Sequence, residues 1–239
     1  MKKTLLLLPL LAALLFLPAC ETLQQVAQTV LTEPSLDEIG RGLKEALGKG
    51  ITKGAGELAA RDGFLKSQYK ILLPAEARKI TDKLKNVPGF NNLEAELLEK
   101  INRGAEEAAK EAAPIFLNSI KQMTIQDATN ILMGEDNAAT AYLQRTTTQE
   151  LYGKFNPKIV AALDKIGANE LYRKAADTYN KIPLVTKVNN DLDDYVTNEA
   201  LKGLFGKISE EEKNIRRNSG ARTSDLLKKV FAKQDSNRK

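Results

Sequence analysis

The chain has 239 residues, 36 basic against 31 acidic side chains for a formal net charge of +5, and a hydrophobic fraction of 42%, enough apolar material for a real core in one domain. With no histidine and one cysteine, most ordinary zinc sites, Ser-His-Asp triads and Cys-His nucleophiles are excluded. The absence of tryptophan and an aromatic content of 5% argue against an aromatic-lined carbohydrate groove, and the weak, dispersed basic excess gives no reason to expect a nucleic-acid partner.

Residues 1–19 read as an export signal. Lys2 and Lys3 are followed by an apolar run from Leu5 to Phe16, too short for the roughly 20 residues that span a bilayer. Leu17-Pro18-Ala19-Cys20 resembles a lipobox, which implies cleavage before Cys20 and lipidation of its sulfur, with several acyl chains giving stable anchoring. The partner expected first is therefore a membrane, through Cys20. Glu21 is not the aspartate that favours inner-membrane retention, so the expected address in an organism with two membranes is the outer membrane, facing the periplasm. Loss of Lys2 and Lys3 lowers the net charge by two.

Residues 20–34 are expected to be a lipidated tether ending at Pro34. Ser35-Leu36-Asp37-Glu38 fits a capping box, and apolar steps of three or four through Leu43, Leu47 and Ile51 predict a helix. Six glycines between Gly40 and Gly56 either break that helix near Gly48 or permit very close packing. Arg61-Asp62-Gly63 is a turn, and residues 69–73 are a candidate extended segment. Pro74 opens a helix over 75–85, which Val87-Pro88-Gly89 ends. A long helix is predicted over 93–113, kinked or stopped by Pro114. Thr124 and Asp127 start a short helix closed by Gly134. Thr147-Thr148-Gln149-Glu150 predicts another start, Pro157 and Pro183 punctuate two further helices, and Ser209 through Glu212 repeats the capping-box pattern. Leu226, Leu227, Val230 and Phe231 close the domain. The expected fold is all-α: one compact domain over 35–233 of roughly eight to ten short helices, with a disordered tail over 234–239.

Several blocks carry a family likeness: Asn102 to Glu106, Ile115 to Thr124, Gly134 with Asp136 to Thr140, Asp194-Tyr195-Val196, Ala200 to Phe205, and Glu211 to Arg216. Together they resemble the uncharacterised bacterial family called domain of unknown function 4197, from about Leu36 to Phe231. Gly104 and Leu143 depart from the alanine and aromatic expected in that family. The resemblance implies an exported, helical, often lipidated protein and supplies no catalytic residues.

Three polar constellations stand out. Asn102 and Glu106 border an apolar helical row and are expected half-buried, with Arg103 one step round, and the three form either the polar floor of a ligand cavity or a structural network. Glu135-Asp136-Asn137 suggests a calcium loop or, more simply, a helix N-cap. Glu210 to Glu212 followed by Arg216 and Arg217 reads as a solvated helix with Arg222 available to pair, or as an anion site at Arg216, Arg217 and Arg222. No metal, cofactor or catalytic residue is expected. The leading expectation is a non-enzymatic envelope lipoprotein acting as a binding or interaction module, which presents a helical surface to a partner protein or the envelope itself. The alternatives are a carrier enclosing a lipid or other apolar ligand, and a carboxylate-based cell-wall hydrolase.

Overall fold

The computed structural model describes residues 33–188 and 191–237. The residues expected to be an export signal, Cys20 and most of the expected tether lie outside them. The described residues form nine α-helices and no strand: α1 (Leu36–Ala59), α2 (Ala75–Leu84), α3 (Leu93–Ala109), α4 (Ala112–Gln122), α5 (Ile125–Met133), α6 (Ala138–Lys165), α7 (Ala168–Asn180), α8 (Asp193–Arg217) and α9 (Asp225–Asn237), with a 3-10 turn at Ser219–Ala221. The all-α expectation holds. None of these helices is long and apolar enough to cross a membrane.

Three helices are longer than the local signals predict. α1 runs unbroken through its glycines, five of the six of which meet other helices. A Cβ on Gly42 would lie 2.7 Å from Val230 Cγ2, and one on Gly54 would lie 3.2 Å from Lys207 Cγ. The close-packing alternative is the one adopted. Its start is the expected capping box, with Glu38 N donating to Ser35 Oγ at 3.2 Å and Ser35 N donating to Glu38 Oε2 at 2.8 Å.

The helix start expected at Thr147 does not occur, since α6 continues through it and through Pro157. Leu143, Thr147, Leu151, Phe155, Ile159 and Leu163 repeat every four residues and are all buried. The Thr147 hydroxyl donates back to Leu143 O at 2.5 Å instead of capping anything. A proline inside a helix costs about 3 kcal/mol, but burying Phe155, Ile159 and Leu163 at about 1.5–3 kcal/mol each outweighs it. For the same reason Ser209 is interior to α8, whose buried row runs Val196, Ala200, Leu204, Ile208 and on to Ile215.

The helix expected over 93–113 instead ends at Ala109. The chain turns at Lys110 and Glu111, and Pro114 falls in the first turn of α4, where its missing N–H is harmless. At the other end the expected disordered tail is corrected over 234–237. α9 extends to Asn237, and Gln234 is buried against Arg216.

α6 and α8 pack along one another at the centre, α1 crosses α8, and α3 lies against α6. Phe116 and Phe205 meet edge to face with centroids 5.5 Å apart. Leu143 is fully buried in this core, and Gly104 lets Leu163 approach to where a Cβ would be 2.7 Å away.

Candidate functional site

Between α1 and α2 lies a stretch without regular structure, and its backbone groups need partners because Phe64 and Ile71 are buried. α3 provides them. Ile71 N donates to Asn102 Oδ1 at 2.8 Å, and Asn102 Nδ2 donates to Ile71 O at 2.9 Å and to Leu98 O at 2.8 Å. One turn later, Glu106 Oε1 accepts from Phe64 N and Leu65 N, both at 3.2 Å. Glu106 Oε2 accepts from Arg103 Nη1 at 2.8 Å, and Arg103 Nη2 donates to Asp62 Oδ1 at 2.8 Å. Arg103 and then Lys66 hold the Asp62 carboxyl below the ordinary carboxylate range. The sequence grouping of Asn102, Arg103 and Glu106 is thus one assembly, but Asn102 and Glu106 are buried rather than half-buried.

A cleft of about 270 Å³ opens beside it, lined by Arg61, Arg103, Glu106, Glu107, Lys110 and Lys165 among others. Its walls include the C-terminal ends of α1, α3 and α6 at Ala59, Lys110 and Ile166. Each such end carries roughly half a negative charge, so the bases answer helix ends and carboxylates already present. Lys100 Nζ likewise donates to Ile166 O.

The second constellation joins α5, α6, α8 and α9. Glu212 reaches the start of α6 and accepts from Ala139 N at 2.9 Å, Thr140 N at 2.8 Å and Thr140 Oγ1 at 2.7 Å. Asn137 occupies the N-cap position there but makes no side-chain capping bond, so the cap comes from another helix, not from Asp136 or Asn137. Four residues after Glu212, Arg216 donates to Glu212 at 2.9 Å, to Leu132 O at 3.1 Å, to Ile131 O at 2.7 Å and to Gln234 Oε1 at 2.8 Å. One buried pair on α8 therefore caps the end of α5 and the beginning of α6. The solvated-helix expectation fails for Glu211, Glu212 and Arg216, which are all buried.

Of the three arginines of the candidate anion site, Arg216 and Arg222 are buried with their donors on protein groups, and Arg217 is exposed and paired. Arg217 binds Asp136. Arg222 donates to Ile215 O at 3.0 Å and Arg216 O at 2.7 Å, closing the end of α8, and pairs with Asp235 at 2.6 Å while lying over the Phe231 ring.

A third cluster was not legible in the sequence. Lys207, largely sequestered on α8, contacts Glu57 at 2.7 Å, Glu210 at 3.2 Å and Glu211 at 3.5 Å, while Lys53 reaches Glu211 at 2.8 Å. The Tyr69 hydroxyl donates to Glu210 at 3.0 Å, and burial followed by that carboxylate pushes the phenol up to about 12. Burial opposes ionisation of Glu210, but Lys207 and Tyr69 outweigh it and leave its pKa below the ordinary value. Burial raises the Asp193 carboxyl, although Asn169 opposes this by donating to it at 2.9 Å.

The sequence model of a protein family described as "Protein of unknown function (DUF4197)" matches residues 33–232. No curated protein and no solved structure matches the chain.

Proposed function

The chain belongs to the DUF4197 family, which spans nearly all of the described domain, and from that premise we propose that it is a cell-envelope lipoprotein, anchored through Cys20, that works by binding rather than catalysis. The observation that carries this reading is the fate of the buried polar groups. Glu106 and Glu212 accept hydrogen bonds from backbone N–H groups, Asn102 both accepts from and donates to the backbone, and Arg216 and Arg222 donate to backbone carbonyls. Such satisfied networks fix shape, and a fixed outer surface is what a binding module needs.

The clefts favour surface binding over carriage. The apolar recess between Leu43, Leu47, Ala139 and Phe231 holds about 10 Å³, far below the about 300–1,000 Å³ of ligand pockets, and the wider clefts, of about 270, 400 and 640 Å³, lie open to solvent. The anchor and the binding role are tested together by fatty-acid labelling and crosslinking in intact envelopes. Wild-type chain is expected to take up label and give a discrete crosslinked adduct, and Cys20→Ala to lose both. Label retained in Cys20→Ala overturns the anchor; labelled wild-type chain without any adduct overturns the binding role.

A further inference from the structure

The segment after α7 combines two features that stability and solubility both disfavour. Leu184 is fully exposed, with a relative accessibility of 106%, and it sits at φ 64°. A left-handed conformation suits glycine and strains a leucine. Strain of this kind persists where surrounding structure enforces it, and it collects at functional positions.

The enforcement is visible. Asn180, the last residue of α7, clasps the segment: Val188 N donates to Asn180 Oδ1 at 3.0 Å, and Asn180 Nδ2 donates to Val188 O at 3.2 Å. Ile182 N donates to Tyr179 O at 3.0 Å. The side chains of Ile182, Val185 and Val188 pack against the core. Three apolar side chains thus hold the loop down while Pro183 and Leu184 stand out in water.

The surroundings of the tip select its partner. The segment reads Lys181-Ile182-Pro183-Leu184-Val185-Thr186-Lys187, with an exposed lysine on each side and no acid within it. Among the described residues neither Lys181 nor Lys187 forms an ion pair. Lysine is depleted from protein–protein interfaces, whereas an apolar tip between uncompensated bases matches acyl chains beneath anionic headgroups.

We propose that residues 181–187 form a membrane-contact tip, in which Pro183 and Leu184 enter the outer part of a leaflet and Lys181 and Lys187 meet anionic lipid headgroups. This goes beyond the anchored-module reading, because the loop needs no lipid on Cys20 to make the contact.

The chain has no tryptophan, so Leu184→Trp places a single fluorophore at the tip, and Ile125→Trp on α5 places one at another exposed apolar position. Full chain carrying either substitution is mixed with vesicles of phosphatidylcholine and phosphatidylglycerol, with and without brominated acyl chains. The tip fluorophore is expected to shift to the blue and be quenched, far more than the one at 125, in chains with Cys20 or with Cys20→Ala. Adding Lys181→Gln or Lys187→Gln should weaken partitioning about fivefold each. An unchanged spectrum overturns the proposal. So does equal response on purely zwitterionic vesicles, or equal quenching at position 125, which signals indiscriminate adsorption. A blue shift that grows with protein concentration before vesicles are added overturns it in favour of a second copy covering the tip.

Discussion

Asn102→Ala removes three hydrogen bonds at once and leaves the Ile71 N–H and C=O without their partners in a site where Asn102 is fully buried and Ile71 is 2% exposed. A net hydrogen bond contributes about 0.5–1.5 kcal/mol and an orphaned buried group costs about 1–3 kcal/mol. The expected loss is therefore about 3–4 kcal/mol, a large share of the roughly 5–15 kcal/mol that holds a domain together. Urea unfolding followed by circular dichroism measures it, with the midpoint falling and the slope unchanged if the native state keeps its extent. Hydrogen exchange should show amides of residues 64–71 opening before the rest of the domain. A loss below about 1 kcal/mol would refute the claim that Asn102 is a strut for this loop.

The remaining predictions follow from the same contacts. Gly42→Ala drives a methyl to within 2.7 Å of Val230 and should cost about 1–3 kcal/mol, recovered in part by Val230→Ala; Gly56→Ala, with nothing within 4 Å, should stabilise by about 0.5–1 kcal/mol, and thermal melts that rank the two the other way sink the packing account. Arg216→Ala strips the buried Glu212 of its charge partner and should cost about 3–5 kcal/mol. Arg217→Ala, whose side chain is 69% exposed, should cost under about 1 kcal/mol, and equal losses in chemical denaturation contradict the assignment of roles. Lys229 and the backbone of Ser35 lower the Glu38 pKa from its ordinary 4.5 to about 2. Its stabilisation is therefore complete above pH 4.5 and fades as pH falls toward 2. Glu38→Gln should flatten that part of the acid limb, and an unaltered limb rules out the assignment.

What the sequence made legible was mostly local. Asn102, Arg103 and Glu106 lie within five positions beside an apolar row, so their association on α3 could be read. Their partners Phe64, Ile71 and Asp62 lie at least 31 positions away, and no spacing rule reaches them. The capping box at Ser35 formed where it was expected, and the helix start expected at Thr124 formed too, closed by a box with Asp127. Equivalent signals at Thr147 and Ser209 lost to tertiary packing, because Thr147 lies within, and Ser209 beside, a buried row that continues on both sides. Charge was the least legible property. Glu212 and Arg216 look like the solvated face of any helix until the starting N–H groups of α6 and the closing carbonyls of α5 are brought against them. Lys207 gave no signal, because the groups that sequester it come from α1 and α8 together.

The most direct test of the binding-module account is native mass spectrometry of the chain expressed in bacteria and gently purified. The account predicts the same mass before and after denaturation, equal to the polypeptide plus whatever is covalently attached at Cys20. A reproducible additional mass of lipid size, lost on denaturation, would contradict it and make the domain a carrier.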